Sequence, residues 1–305
     1  MRKMPWGGKQ LTALYGFNSS PSPVGEAWLL SDHHLHHSKS TVSQVDHLTL
    51  RQLIQHHGRD LVGQEFSLPF PILIKILDAA ENLSIQVHPD DDQSRLWSPG
   101  ERGKSEAWVV LSVEKNAALY IDLKQDCSME QFEASVRQGK TVECLNRIEP
   151  RIGEVYAIPP GTVHAIGAGI MLLEVQQSSD ATFRLDDWGR TEADGKSRPL
   201  HVEAGLACAR KSPTGVGLQT AISEPSGAKL LVQNSHFSIR QWSDCSQVVI
   251  HAPAIVIPWQ SDIICMETDS SYHRGNATVI PALMKQCTFE LQPTAVLYEI
   301  HWHPS

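Results

Sequence analysis

Short apolar runs that alternate with polar residues, cut every few positions by glycine or proline, dominate this 305-residue chain. That pattern predicts many short strands and few helices. Longer apolar runs suited to buried strands lie at Phe70 to Ala80, in E-A-W-V-V-L-S-V from Glu106, and at Ile170 to Gln176. Helical spacing is confined to a few places. Leu50, Leu53, Ile54 and Leu61 recur at helical intervals between Leu48 and Leu61. Ser128 to Arg137 opens on a capping box, Ser128 with Gln131, and Gly139 stops it. Val202 to Ala209 is a third short helix, inside a linker-like stretch from Ser197 to Gly217 that carries Arg198-Pro199 and Lys211-Ser212-Pro213-Thr214-Gly215 as breakers. From Ala228 to His301 β-type runs return in quick succession, among them F-S-I-R-Q-W, A-I-V-I-P and A-V-L-Y-E-I.

Composition narrows this to a globular class. With 41% hydrophobic and 20% charged residues the chain is long enough for two cores, and 20 glycines with 18 prolines suit many turns. No segment has signal-peptide or membrane-spanning character, so a cytoplasmic location is expected. Six cysteines, Cys127, Cys144, Cys208, Cys245, Cys265 and Cys287, form no C-x-x-C pair, which favours buried free thiols over a disulfide framework or a zinc knuckle. A net charge of −8 without a basic stripe argues against nucleic acid as a partner, while a small anion needs only a few local cations.

Candidate chemistry centres on G-E-V-Y-A-I-P-P-G-T-V-H, Gly153 to His164. Val155, Ala157 and Ile158 favour extended backbone, Pro159-Pro160-Gly161 forces a turn, and His164 starts the next strand. Upstream, Gln86 and His88 alternate along I-Q-V-H and so share one side of a strand, and Glu106 opens another. Two histidines, a carboxylate and an amide oxygen on rigid strands suit a divalent metal. Zinc leads, and iron, manganese and cobalt also fit. Glu174 is the only charge in its apolar strand; such a carboxylate is paired, faces a polar cavity, or stands at a strand end in water. Arg184, in an acidic neighbourhood, has the pattern of a surface salt-bridge partner as well as of a functional cation.

The spacing G-x5-P-x-G-x2-H matches the second cupin motif, and L-S-I-Q-V-H-P-D-D, G-K-S-E and P-P-G-T-V-H-A together resemble the type I phosphomannose isomerases, over residues 1 to 205 strongly and the remainder weakly. The W-G-G and G-E-x-W segments at Trp6 and Gly25 resemble that family's N-terminal, catalytic half. The resemblance implies a mainly β fold of two cupin-type (jelly-roll) β-sandwich domains with a few short helices. The first, residues 1–205, would carry the metal and a short helical insert near 128–147, in place of the whole helical domain of larger members. The second, residues 206–305, would be cupin-like without metal. Implied too are one metal per chain held by Gln86, His88, Glu106 and His164, and catalytic roles for Arg184 and Lys104, with Glu174 the candidate base. The reaction implied is interconversion of mannose 6-phosphate and fructose 6-phosphate through a cis-enediol by a monomer or homodimer. Gly103 departs from the larger members, which often have histidine there, and this touches proton relay more than metal binding.

Other features are set aside on physical grounds. Asp32-His33-His34-Leu35-His36-His37 has no recognisable ligand spacing and reads as a solvated loop that captures metal adventitiously. Gly275 to Ala282 echoes the Gly153 stretch but lacks its terminal histidine, so the C-terminal half is expected to have no metal. A non-catalytic sugar-binding or regulatory cupin and a metal-dependent oxidase or decarboxylase are the alternative functions. Arg184, Glu174 and Lys104 together favour the isomerase.

Overall fold

The computed structural model describes residues 1–16, 23–63, 68–191 and 195–303. Strands outnumber helices, as the alternating pattern predicts, and they fall into two compact units, Met1–Trp28 with Ile74–Gln219, and Leu29–Leu73 with Thr220–Ser305. This division is discontinuous and differs from the expected boundary at 205/206. Residues 29–73 group with the C-terminal strands because the helix Leu50–Val62 packs on the 3-10 turn Ala282–Met284 and the Phe70 ring lies 4.9 Å from that of Trp302. The 197–217 stretch, linker-like in sequence, belongs to the first unit.

In the first unit one sheet runs Glu26–Leu30, Ile72–Ala79, Ile170–Gln177, Glu106–Val113, Val155–Ile158, Gly217–Leu218. A second runs Phe183–Asp186, Ile85–Val87, His164–Ile166, Leu119–Leu123, Leu145–Ile148. Alternation decides what each face does. Trp108, Val110, Tyr156, Ile170 and Leu172 of the first sheet share a core with Leu119, Ile121 and Ile166 of the second. On the second sheet's other face Ile85, Val87, Val163, Ala165, Phe183 and Leu185 pack with Phe132, Val136 and Cys208 from two helices. The first helix, Met129–Arg137, has the expected capping box: Ser128 Oγ accepts from Gln131 N and Gln131 Oε1 accepts from Ser128 N. The second, Val202–Cys208, approaches the strand so closely that a Cβ on Gly205 would lie 2.5 Å from Leu185 Cδ2. With one face of the second sheet covered by helices, Gln86, His164 and Arg184 are turned to the inside of the sandwich.

The second unit pairs the sheet Ile222–Ser223, Lys229–Gln233, Phe237–Trp242, Val296–Trp302, Ala254–Trp259, Thr278–Ile280 with the sheet Gln247–His251, Gln286–Glu290, Ile263–Cys265, Ser270–Tyr272. Trp242, Ala254, Val256 and Leu297 of one meet Val248, Ile250, Ile263 and Phe289 of the other in a single core.

Two local expectations change. The histidine-rich tract is a short ribbon, Asp32–His33 paired with His36–His37, and Asp32 and His33 are buried. Asp32 accepts hydrogen bonds from Arg51 Nε at 2.9 Å and Phe70 N at 2.9 Å, and His37 Nδ1 lies 3.1 Å away. A buried carboxylate with such partners orders the segment that composition alone presents as solvated. A helix at Asp91–Trp97, absent from the periodicity reading because it is short and polar, is set by an Asp90–Gln93 capping box.

Candidate metal centre and active site

The interior of the first sandwich is apolar at one end and polar at the other. Along the strand Ile72–Ala79, Leu77 and Ala79 join the core and Lys75 stands on the same face. Glu106 and Trp108 are two residues apart on their strand, as are Glu174 and Gln176 on the neighbouring one, and the antiparallel register sets Gln176 opposite Glu106 and Glu174 opposite Trp108. Across the sandwich His164 stands opposite Gln86, and Gln86 opposite Arg184.

The Pro159-Pro160-Gly161 turn works as its sequence implies. Gly161 takes φ +85°, its N–H donates to His88 O at 2.9 Å, and His164 opens the next strand. Thus the turn that launches one histidine is bonded to the backbone of the other.

His88, Glu106 and His164 converge, with one ligand atom from each within 4.8 Å of the others. Glu106 Oε2 is 3.5 Å from His88 Nε2, and Oε1 is 3.5 Å from His164 Nε2. All three are at most 1% exposed. The remaining ring nitrogens face carbonyls, His88 Nδ1 at 2.9 Å from Ala181 O and His164 Nδ1 at 2.9 Å from Thr162 O. A carbonyl only accepts, so each Nδ1 carries the proton and each Nε2 presents a lone pair to Glu106. The Gln86 amide lies 3.3 Å from His164 Nε2, and an amide flip brings its oxygen to the same place.

Charges around the cluster are arranged for a cation. Burial pushes the His164 ring down to about 3, with the neighbouring His88 adding to the effect. Burial lowers His88 too, helped by Lys104. Both rings therefore stand neutral, the state in which imidazole ligates. Burial by itself would favour the neutral acid of Glu106, but the Lys104 ammonium beside it holds it well below the usual carboxylate range. Neither Glu106 oxygen receives a well-aligned hydrogen bond, although Lys104 Nζ lies 3.0 Å from Oε2 and 3.2 Å from His88 Nε2. A fully buried carboxylate without aligned donors, facing two imidazole lone pairs, fits a divalent cation through nitrogen and oxygen donors.

Glu174 is buried, at 3% exposure, which excludes the strand-end-in-water alternative. It accepts from Trp108 Nε1 at 3.2 Å and pairs with Lys75 Nζ at 3.4 Å. Burial raises its pKa, as does the charge of Glu106, while Lys104 and Lys75 pull it down. Lys75 itself, 3% exposed and 4.9 Å above the Trp28 ring, is the residue that the sequence reading passed over. A lone ammonium inside I-L-I-K-I-L is the same signal that marked Glu174. Arg184 lies in the edge strand Phe183–Asp186 rather than in an acidic loop, and its guanidinium donates to Pro199 O at 2.7 Å. Its register places it two strands from His164, roughly 9–10 Å between backbones.

The family profile described as phosphomannose isomerase type I, catalytic domain, matches residues 1–117. A mannose-6-phosphate isomerase from Streptococcus mutans is 32% identical over 301 residues, covering 95% of this chain and 93% of that protein. The crystal structure of the mannose 6-phosphate isomerase from Bacillus subtilis superposes with a TM-score of 0.87 at 29% identity, covering 98% of this chain and 96% of that one. A zinc-bound mannose 6-phosphate isomerase structure shares the fold at 17% identity, with a TM-score of 0.78 over 99% of this chain and 97% of that one.

Proposed function

The chain belongs to the type I phosphomannose isomerase family, a cupin-type fold, and from that premise we propose that it interconverts mannose 6-phosphate and fructose 6-phosphate with one divalent metal, zinc first, held by Gln86, His88, Glu106 and His164. The observation that carries this reading is the buried Glu106 carboxylate, aimed at two neutral imidazoles without aligned hydrogen bonds of its own.

A bound divalent cation supplies a Lewis acid that withdraws electron density from a substrate oxygen. What the chain's own residues supply is position and proton traffic. Aldose–ketose exchange through a cis-enediol moves a proton between C1 and C2. Glu174, its oxygens fixed by the Trp108 indole and Lys75, is the carboxylate on the inner face that suits this transfer, and burial keeps its pKa nearer to neutrality than that of an exposed glutamate. Lys104, buried beside Glu106 and His88, offers a donor for a sugar oxygen at the same end of the sandwich. Arg184, a permanent cation held by a carbonyl on the same inner face, is placed to stabilise negative charge on the enediolate or on the phosphate. The apolar end of the interior excludes water behind the site.

The test is a coupled assay for fructose 6-phosphate formed from mannose 6-phosphate, with metal content determined on the same sample. Activity that tracks about one divalent ion per chain is the expected result. Turnover unaffected by complete metal removal, or metal-loaded protein that binds the sugar phosphate without turning it over, overturns the reading in favour of another cupin chemistry or a binding role.

A further inference from the structure

The second unit contains another convergence of ligand atoms, and it uses sulfur. Cys265 ends the strand Ile263–Cys265 and Cys287 lies in its neighbour Gln286–Glu290, where Cys265 stands opposite Phe289. Cys287 is two residues from Phe289, so both thiols point to the same, core-facing side. Both are 0% exposed. The Cys265 and Cys287 sulfurs and a Glu267 carboxylate oxygen lie within 4.8 Å of one another. Cys265 Sγ is 3.5 Å from Glu267 Oε2, and Met284 Sδ is 3.6 Å from Cys287 Sγ. The carboxylate is fixed rather than waving in solvent, because Thr288 N–H donates to both of its oxygens, at 2.9 and 2.8 Å.

Two buried cysteines are commonly plain packing groups. Packing against the core accounts for the Met284 thioether, but not for the carboxylate fixed at the rim of the two thiols. A disulfide is disfavoured by register, since diagonal neighbours across an antiparallel pair have Cα atoms about 7–8 Å apart, beyond the ~7 Å that a disulfide spans. Two thiolates on one tetrahedral ion sit roughly 3.8 Å apart, given metal–sulfur bonds of about 2.3 Å. From this geometry we propose that Cys265, Cys287 and Glu267, with Met284 as a weak fourth donor, form a second metal site, selective for soft d10 cations such as cuprous, zinc or cadmium ions. Each thiol gives its proton to solvent on ligation, so two protons leave per ion bound and the ion meets two thiolates and a carboxylate. The expectation of a C-terminal half without metal rested on the histidine missing from Gly275 to Ala282; these thiols are elsewhere, and their 22-residue separation leaves no spacing motif to read.

The proposal does not depend on the isomerase reading, and its test uses no turnover. Full-length protein loaded with zinc is titrated with cadmium, following the ultraviolet thiolate-to-cadmium charge-transfer band, which ligation by imidazole and carboxylate does not produce. One equivalent should saturate the band. Cys265→Ser and Cys287→Ser should each weaken binding at least tenfold, and Glu267→Gln and Met284→Leu should weaken it less. His164→Ala, Cys127→Ser and Cys245→Ser should leave the band unchanged. Absence of the band, its survival in Cys287→Ser, or its loss in Cys245→Ser overturns the assignment. Should the serine variants fail to fold, Glu267→Gln and Met284→Leu decide, and a titration that neither of them alters overturns it as well.

Discussion

The two sandwiches each bury a carboxylate among aromatic and imidazole groups, and they treat it in opposite ways. In the second unit Glu299 is fully partnered: Trp242 Nε1 donates to Oε2 at 2.7 Å, and His301 Nε2 stands 2.6 Å from Oε1. His301 Nδ1 in turn faces Pro253 O at 3.1 Å, so both ring nitrogens are engaged. Arg240 there is tied to Glu224 at 2.9 Å. In the first unit Glu106 has Lys104 Nζ 3.0 Å from Oε2, and it faces two imidazoles whose protons are committed to carbonyls on the far side, so both rings turn lone pairs to it. The difference lies in what reaches each carboxylate: an indole N–H and one ring at 2.6 Å for Glu299, two rings at 3.5 Å and no well-aligned hydrogen bond for Glu106. A carboxylate that accepts an aligned N–H is a finished structural element, whereas one set between two imidazole lone pairs without an aligned hydrogen bond suits a cation.

The sharpest way to break this comparison is to exchange the consequences. His164→Ala should lower metal affinity by more than about a hundredfold, beyond the usual cost of losing an outer partner of a ligand, and abolish turnover. Glu299→Gln should leave metal content and kcat unchanged while lowering the denaturation midpoint. Metal analysis and urea melts on both variants check this, and a Glu299→Gln protein that loses its catalytic metal would collapse the distinction.

Arg184 sharpens it next. Arg184→Ala should reduce kcat by about a hundredfold or more, the scale for one preorganised charge-stabilising donor, with Arg184→Lys recovering little because a point charge does not reproduce the planar fork. A rise in KM at constant kcat would reassign it to gripping the phosphate. Near-normal kinetics would remove it from the mechanism.

Lys75 should give a smaller, directional effect. Its charge lowers the Glu174 pKa against burial, so Lys75→Met should raise that pKa further and move the acid limb of the kcat/KM profile to higher pH. An unmoved limb would show that Glu174 is not the group being titrated.

Acid should separate the units most gently. The His164 pKa falls to about 3 in the folded protein, below the ordinary imidazole value of about 6.5. Between these values the unfolded chain binds the extra proton, so stability is full above the ordinary value and drains as pH falls toward 3. Urea midpoints of metal-free protein measured from pH 7 to pH 4 should decline, and His164→Gln should flatten the decline.

Much of this was legible in the sequence. Strand-turn-strand at Gly153 to His164 follows from fixed proline φ and a glycine at φ +85°, and alternation alone placed Gln86 and His88 on one face. Capping boxes marked the helix at Met129–Arg137 and, unnoticed, the one at Asp91–Trp97. Lone charges in apolar strands marked Glu174 and would have marked Lys75. These are properties of a few consecutive residues, which local backbone geometry and side-chain period decide. Tertiary structure decided what depends on distant segments. It chose which nitrogen of each histidine is free, because Ala181 O and Thr162 O are presented by the folded backbone. It drew residues 29–73 into the C-terminal unit through the Phe70–Trp302 and helix contacts. It buried Asp32 by bringing Arg51 and the Phe70 N–H to it, and it brought Cys265 to Cys287 across a strand register that no spacing in the sequence records. Pairings of this kind are set by which faces two sheets bury together, and a residue's own neighbours in sequence carry no trace of them.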